Sequence, residues 1–464
     1  MNPLADDLNQ APVRETFYRY LIPAVAGMLI KCAFIFIDTL FIGRLVGADA
    51  LGAVSLVIPY FSVFTAIAMM LGIGGATWMS IEFGKSNTGK GQAIFSQTLA
   101  FSLLVFSALV VVSWLTLDPV LELMGAEGAI FTLSREYLVY LLPFLLSYSL
   151  NWVLSSFIRN DNHPKLAMVA MVVGALVNIV LDVIFIWWLD MGVGGAALAT
   201  GIAQWVMSAI LLSHFYSGKG RLLLRITRFG RRTIQRVGEM GAPSFFIEAA
   251  LTITIVVFNF VLLNHYGEDY LIAYSLTVNL GVFALFLLLG VAQACQPIIS
   301  YNFGAGHYLR VRQSFSLGLK YGICTGLAAA MLVAMFATEI VQWFINDNQP
   351  LIALSSEAVR WYFISAPLMA ANIITATYFQ ALAKPKQSSA LSLLRGLVFV
   401  LLGLFLLPEL FGDKAVWAAF VFAEGMTVGF SLYFIQRFPL ESNGLDAESD
   451  MSDARDPRPS DQTG

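Results

Sequence analysis

Long apolar stretches alternate with short polar breaks along nearly the whole chain. The stretches fall at residues 17–43, 51–80, 93–116, 132–158, 164–189, 193–216, 240–264, 270–299, 314–338, 356–381, 388–411 and 415–437. Each is longer than the roughly 20 residues that a helix needs to cross the hydrocarbon core of a membrane. Stretches such as LSLLRGLVFVLLGLFLL show no alternation of apolar and polar positions, which argues against a β-barrel. The pattern predicts an all-α polytopic membrane protein with twelve transmembrane helices.

The composition agrees with this pattern and excludes other classes of protein. Of the 464 residues, 58% are hydrophobic and 12% are charged, whereas soluble domains carry roughly 25% charge. The net charge of −3 leaves no basic excess for nucleic acid. Acidic residues precede the first apolar stretch, which is therefore predicted to be a retained span and not a cleaved signal peptide.

The positions of Lys and Arg predict the orientation. Basic residues concentrate in the loops that follow even-numbered spans: Lys85, Lys90, Arg159, Lys165, a cluster from Lys219 to Arg236, Arg310, Arg312, Lys384 and Lys386. Later odd-numbered loops are mainly acidic. Because cytoplasmic loops of membrane proteins are enriched in Lys and Arg, both termini are predicted to be cytoplasmic.

The two halves of the chain repeat at a shift of about 220 residues. Matching positions are Pro23 and Pro243, Phe83-Gly84 and Phe303-Gly304, Asn151 and Asn372, and Pro164-Lys165 and Pro385-Lys386. The repeat divides the chain into an N-lobe (1–216), a basic cytoplasmic linker (217–239), a C-lobe (240–440) and a disordered cytoplasmic tail (441–464). Two six-helix bundles of equal polarity, related by a pseudo-twofold axis along the membrane normal, are typical of transporters that work by alternating access. No GxxxxGK[ST] motif is present for direct use of ATP.

Ionisable residues within spans are costly and mark candidate functional sites. Asp38 in span 1 and Asp182 in span 5 are predicted to lie at similar depth, together with Asn178 and Thr200. Asn151 in span 4 is a further candidate. Such oxygen-rich groups suit a hard cation, so Asp38, Asn178, Asp182 and Thr200 are candidate ligands for a transient Na⁺, or the acids carry H⁺. The alternative is that these side chains only join helices by hydrogen bonds.

Three further intramembrane positions stay open at this stage. Glu248 follows Pro243 in span 7 and suits proton coupling or a cationic substrate, or it pairs with Asn279 or Gln296. Glu424 corresponds to Gln204 in the repeat, with a structural or a functional role. Lys31 lies about 10 Å along the helix from Asp38 and is either a gating residue or a lysine that snorkels to the inner surface.

Two long motifs resemble a known family, the multidrug and toxic compound extrusion (MATE) transporters. They are IDTLFIGRLVGADALGAVSL in span 1 and QACQPIISYNFGAGHYLRVRQ after span 8, and the resemblance covers roughly residues 15–437. It implies a V-shaped pair of lobes that exports organic cations in exchange for Na⁺ or H⁺.

The resemblance also implies roles for single residues. The family's cation site in the N-lobe matches Asp38, Asn151, Asn178, Asp182 and Thr200. One branch of the family uses a span 7 glutamate, matched by Glu248, together with a span 10 aspartate, which Asn372 replaces here. With Glu424, these residues are a possible proton or substrate site in the C-lobe.

The sequence therefore predicts a multidrug efflux antiporter of a prokaryotic inner membrane. It is expected to be a monomer and not an enzyme, with small-molecule drugs or organic cations and membrane lipids as partners, no nucleic acid, and no cofactor beyond the coupling ion. One alternative is a flippase for lipid-linked oligosaccharides, whose cavity would need cations such as Lys31, Lys320 and Arg395. Another is an intramembrane enzyme that uses the two aspartates.

Overall fold

The chain is built almost entirely from long helices. The computed structural model describes residues 8, 11–218, 220–225, 229–345 and 348–440, and none of these forms a strand. Twelve helices are long and apolar enough to cross a membrane, as predicted. They are α1 (Val13–Val46), α2 (Ala48–Gly84), α3 (Thr88–Leu115), α4 (Gly128–Asn160), α5 (Pro164–Trp188), α6 (Gly192–Tyr216), α7 (Arg231–His265), α8 (Glu268–Gly304), α9 (Tyr308–Gln342), α10 (Gln349–Ala381), α11 (Pro385–Phe411) and α12 (Asp413–Arg437).

Several helices extend beyond the apolar stretch that predicted them. The helices α2 and α8 have 37 residues each and are about 55 Å long at ~1.5 Å per residue, while the hydrocarbon core is about 30 Å thick. The helix α7 begins at Arg231 and not at residue 240, so the end of the predicted linker is helical. The predicted tail from residue 441 lies outside the described residues.

We keep the name N-lobe for α1–α6 and C-lobe for α7–α12. The lobes pack against each other through α1 and α2 on one side and α7 and α8 on the other. The backbones approach closely where glycines face the opposite helix. A Cβ atom on Gly241 would lie 1.8 Å from the Met70 carbonyl oxygen, and one on Gly304 would lie 2.1 Å from that of Ile81.

Polar contacts reinforce the same seam between the lobes. Gln296 of α8 donates a hydrogen bond to the Thr77 hydroxyl of α2 at 2.9 Å, and its own amide oxygen accepts one from Asn160 of α4 at 3.0 Å. All three side chains are buried. They lie near the ends of the helices that carry the basic loops, so the lobes are joined on the side predicted to be cytoplasmic.

Three helices contain π-helical segments that widen the helix by one residue per turn. These segments are Ile42–Val46 at the end of α1, Val183–Trp188 at the end of α5 and Leu394–Val398 in α11. Such segments are frequent at functional sites because they redirect side chains and leave backbone groups less regularly bonded. Each lies beside or contains a charged residue considered below.

The close approach at Gly241 predicts a stability effect. We expect Gly241→Ala to lower the thermal unfolding temperature of the purified protein, because overpacking costs about 1–3 kcal/mol. Gly238→Ala on the same helix is the control, since nothing lies within 4 Å of its Cβ position. Alanine favours a helix over glycine by about 0.5–1 kcal/mol, so this control should be neutral or stabilising. Equal unfolding temperatures for both variants would contradict the close contact of α2 and α7.

Candidate functional site

Asp38 and Asp182 come together in the N-lobe. Asp182 directly precedes the π-helical segment of α5, and Asp38 lies four residues before that of α1. The two carboxylates are close enough for their charges to interact, and both interact electrostatically with Tyr137 of α4. Asp182 is fully buried. The structure therefore places two acids of like charge in one enclosed region.

Asn178 and Thr200 complete this group. The Asn178 amide donates a hydrogen bond to the Thr200 hydroxyl of α6 at 3.2 Å. Within the described residues, four buried oxygens of the group have no hydrogen-bond partner: Asp38 Oδ1, Asn178 Oδ1, and Asp182 Oδ1 and Oδ2. Buried polar groups are normally paired because an unpaired one is costly. Carboxylate and amide oxygens are the ligands that hard cations prefer, and a proton on either acid would supply a donor.

A cavity of about 140 Å³ adjoins these residues and is lined by Asp38, Thr200, Tyr137, Tyr148 and Gln204 among others. A single water needs only about 10–15 Å³ of such space. The cavity can therefore hold several waters or a partly hydrated ion beside Asp38.

Asn151, the fifth residue of the predicted site, has a separate set of partners. Its amide nitrogen donates to the main-chain oxygen and to the side-chain oxygen of Gln204, both at 2.9 Å. Its own side-chain oxygen accepts a hydrogen bond from Ser208 at 2.7 Å. Asn151 thus joins α4 to α6, and Gln204 connects it to the cavity beside Asp38.

In the C-lobe, Glu424 is neutralised by a buried partner. Arg395 donates to its carboxylate at 2.7 Å, and the Asn372 amide donates to the other carboxylate oxygen at 2.7 Å. The Arg395 and Glu424 side chains are 10% and 4% exposed. This pairing of Arg395 with Glu424 was not predicted from the sequence. A single arginine within an apolar run was the available signal, because a buried cation requires an anion.

Glu248 lies apart from Asn372 and Glu424, at the boundary between the lobes. Its carboxylate interacts electrostatically with Lys31 of α1 and has Ser62 of α2 as a neighbour. Neither predicted alternative partner binds it in the described part of the chain. Asn279 donates to the Ser275 carbonyl, and Gln296 is bonded within the seam described above.

Lys31 points into the protein and does not reach for the inner membrane surface. Its Nζ atom lies 4.1 Å from the ring centroid of Trp152 and 5.2 Å from that of Phe286. With Arg159 and Asn151, it lines a second cavity of the N-lobe. No local feature of the sequence distinguishes Trp152 from the other Trp residues, or Phe286 from the other Phe residues, as a partner of Lys31: the chain has nine Trp and 36 Phe.

A further cluster joins the linker to the N-lobe. The carboxylate of Asp161, after α4, contacts His214 Nε2 at 2.8 Å and accepts hydrogen bonds from the backbone nitrogens of Arg221 at 3.0 Å and Leu222 at 3.3 Å. With His163, these side chains have the composition of a metal site. However, a Cβ atom on Gly220 would lie 2.1 Å from Asp161 Oδ2, so the linker backbone already covers the carboxylate. The cluster therefore holds the linker against the N-lobe.

The pairing of Arg395 with Glu424 predicts a large stability effect. We expect Arg395→Met to destabilise the protein by about 3–5 kcal/mol, because it leaves a carboxylate buried without a cation. The double variant Arg395→Met, Glu424→Gln should recover much of this loss. Thermal unfolding of the purified variants measures both effects. Arg360→Met, at an exposed arginine of α10, is the control and should change little. A small destabilisation by Arg395→Met, with no recovery of stability in the double variant, would contradict the pairing.

Comparison with known proteins finds relatives that share this architecture. The multidrug export protein MepA of Staphylococcus aureus is 23% identical over 428 residues, covering 90% of this chain and 92% of MepA. MepA of Staphylococcus saprophyticus is 23% identical and covers 89% of this chain. A solved structure of a multidrug resistance MATE family transporter in an outward-facing conformation superposes with a TM-score of 0.88 at 23% identity, covering 94% of this chain and 98% of the transporter.

The Vibrio cholerae MATE transporter VcmN superposes with a TM-score of 0.85 at 21% identity, covering 92% of this chain and 98% of VcmN. These structures share the fold of twelve helices in two six-helix bundles. The MatE family model matches the chain twice, over residues 23–184 in the N-lobe and 243–405 in the C-lobe. The two matches correspond to the two halves of the internal repeat, and this chain belongs to the MatE family.

Proposed function

We propose that this chain is a secondary active multidrug efflux transporter that exports organic, mostly cationic amphipathic compounds by antiport with Na⁺ or H⁺. The names of its MepA relatives, as multidrug export proteins, support the class of activity. The observation that carries the coupling is the group of four unpaired buried oxygens on Asp38, Asn178 and Asp182. Oxygens in this state favour a bound cation or proton.

Ion binding can be coupled to a conformational change because the site has different interactions with and without a bound cation or proton. A cation or proton in the site satisfies these oxygens and removes the repulsion between Asp38 and Asp182. Its release restores the repulsion and the unpaired oxygens, and the π-helical segments at the ends of α1 and α5 are the nearby backbone that can repack. Ion entry is driven by about 2.3 kcal/mol per charge per 100 mV. The ion and the drug favour different conformations, so the binding of one lowers the affinity of the protein for the other.

The proposed setting is the inner membrane of a prokaryotic cell, with both termini in the cytoplasm and a monomer as the working unit. The basic loops after even-numbered helices support this orientation. In the same proposal, residues 1–216 and 240–440 move against each other as the two lobes, while residues 217–239 connect them.

The flippase alternative has less support. It needs several unpaired cations in the central cavity, and only Lys31 of the three candidates lines one. Arg395 is paired with Glu424, and Lys320 is exposed. We therefore propose a drug exporter and not a flippase. The names of the MepA relatives as export proteins support a transporter and not an enzyme.

The coupling site is tested by removing one charge at a time. We expect Asp38→Asn and Asp182→Asn each to reduce ion-driven export of a cationic dye from vesicles by about 5- to 150-fold, the usual range of coupling between sites. Na⁺ and H⁺ gradients are imposed separately, which also identifies the ion. Asp190→Asn, at an exposed acid after α5, is the control and should export normally. Normal export by either site variant would remove the N-lobe from the mechanism.

The orientation is tested by reporter fusions. A fluorescent protein fused after residue 440 should fluoresce, because it folds in the cytoplasm, and alkaline phosphatase fused there should be inactive. The same reporters fused within residues 124–127, between α3 and α4, should give the opposite result. Active phosphatase after residue 440 would contradict the proposed topology.

A further inference from the structure

The ammonium group of Lys31 is held between aromatic rings that come from different lobes. Trp152 lies on α4 of the N-lobe, and Phe286 lies on α8 of the C-lobe. Their ring centroids are 4.1 Å and 5.2 Å from Lys31 Nζ. Both distances are within the limit of about 6 Å at which the face of an aromatic ring attracts a cation. Lys31 therefore occupies an aromatic site at the boundary of the two lobes.

The backbone that carries Trp152 is held against α2 independently of Lys31. The hydroxyl of Tyr148, one turn before Trp152 on α4, lies 2.8 Å from the hydroxyl of Thr65 on α2. A Cβ atom on Gly72 of α2 would lie 3.2 Å from the Trp152 carbonyl oxygen, so the two backbones pack closely at this point. Because these contacts do not involve Lys31, this part of α4 is expected to keep its position when the ammonium moves away.

A carboxylate faces the same position from the C-lobe. Glu248 of α7 interacts electrostatically with Lys31, and no ion pair within 4.0 Å joins them. Ser62 of α2 is a second neighbour of the Glu248 carboxylate. The carboxylate thus attracts the ammonium without contacting it.

Aromatic faces together with a carboxylate are the chemistry that recognises organic ammonium compounds. We propose that Trp152, Phe286 and Glu248 form a binding site for an organic cation between the lobes, and that Lys31 occupies this site as a tethered competitor. The inference rests on the proposed function, since it assigns a position to the cationic substrate. It gives Lys31 a role in specificity and not in ion coupling.

A tethered competitor sets a threshold for binding. The lysine side chain is attached beside the site, so its effective concentration there is in the millimolar range or above. A cationic compound must bind well enough to displace it, and the flexible stem of the lysine allows the ammonium to move aside. The rings and the carboxylate attract positive charge. A neutral compound therefore gains no binding energy from this attraction and does not compete with Lys31 for the site.

The test measures binding to the full-length protein in lipid nanodiscs, without any ion gradient. The probes are tetraphenylphosphonium, a lipophilic cation, and triphenylphosphine oxide, a neutral relative of similar shape. We expect Lys31→Met to lower the Kd for the cation by about tenfold, the size of one good cation–aromatic contact, and to leave the Kd for the neutral compound unchanged. Adding Trp152→Leu or Glu248→Gln to Lys31→Met should abolish most of the gain.

Lys320→Met is the matched control, because it removes an exposed lysine with the same substitution, and it should leave both Kd values unchanged. Thermal unfolding of each variant confirms that it is folded. An unchanged or higher Kd for the cation in folded Lys31→Met would overturn the inference. An equal decrease in the Kd for the neutral compound would also overturn it, because Lys31→Met would then act only by enlarging the cavity.

These outcomes are distinct from those of the proposed function. A wild-type protein that fails to export a dye in vesicles would contradict ion-coupled efflux, while tighter cation binding by Lys31→Met would still support the site. Ion-driven export by the wild type together with unchanged binding by Lys31→Met would overturn only the role of Lys31.

Discussion

The hydrocarbon core of a membrane contains no water to solvate a polar group, so each carboxylate that lies within this core needs a partner within the protein or a bound ligand. The carboxylates of this protein meet this requirement in three different ways. Glu424 has a permanent cation in Arg395. Glu248 has a serine and a lysine nearby. Asp38 and Asp182 retain unpaired oxygens, and this difference is what makes them the candidates for reversible binding.

The two lobes use one framework in different ways. In each lobe an asparagine on the fourth helix donates to the main-chain and side-chain oxygens of a residue on the sixth helix, Asn151 to Gln204 and Asn372 to Glu424. Arg395, which completes the group in the C-lobe, corresponds by the repeat to Gly174, which lines a cavity in the N-lobe. A guanidinium thus occupies in one lobe a position that stays open in the other, which favours the N-lobe for ligand binding.

Much of the N-lobe site could be predicted because it depends on helical geometry. Asn178 and Asp182 are four residues apart and therefore share a face of α5, and depth along a span brings Asp38 and Thr200 to the same level. The partners of Lys31, Glu248 and Glu424 could not be predicted in this way. They lie on helices that are distant in the sequence, and the rotation of each helix about its axis depends on how its neighbours pack.

The sequence by itself determined the number of spans, their approximate limits, the internal repeat and the family resemblance, because length, hydropathy and residue order are local or periodic properties. Tertiary structure decided which buried charge meets which partner. It paired Arg395 with Glu424, separated Glu248 from them, and placed Lys31 between rings of opposite lobes. These contacts join side chains from different helices, and only the packing of helices around a common interior brings such side chains within a few ångströms of one another.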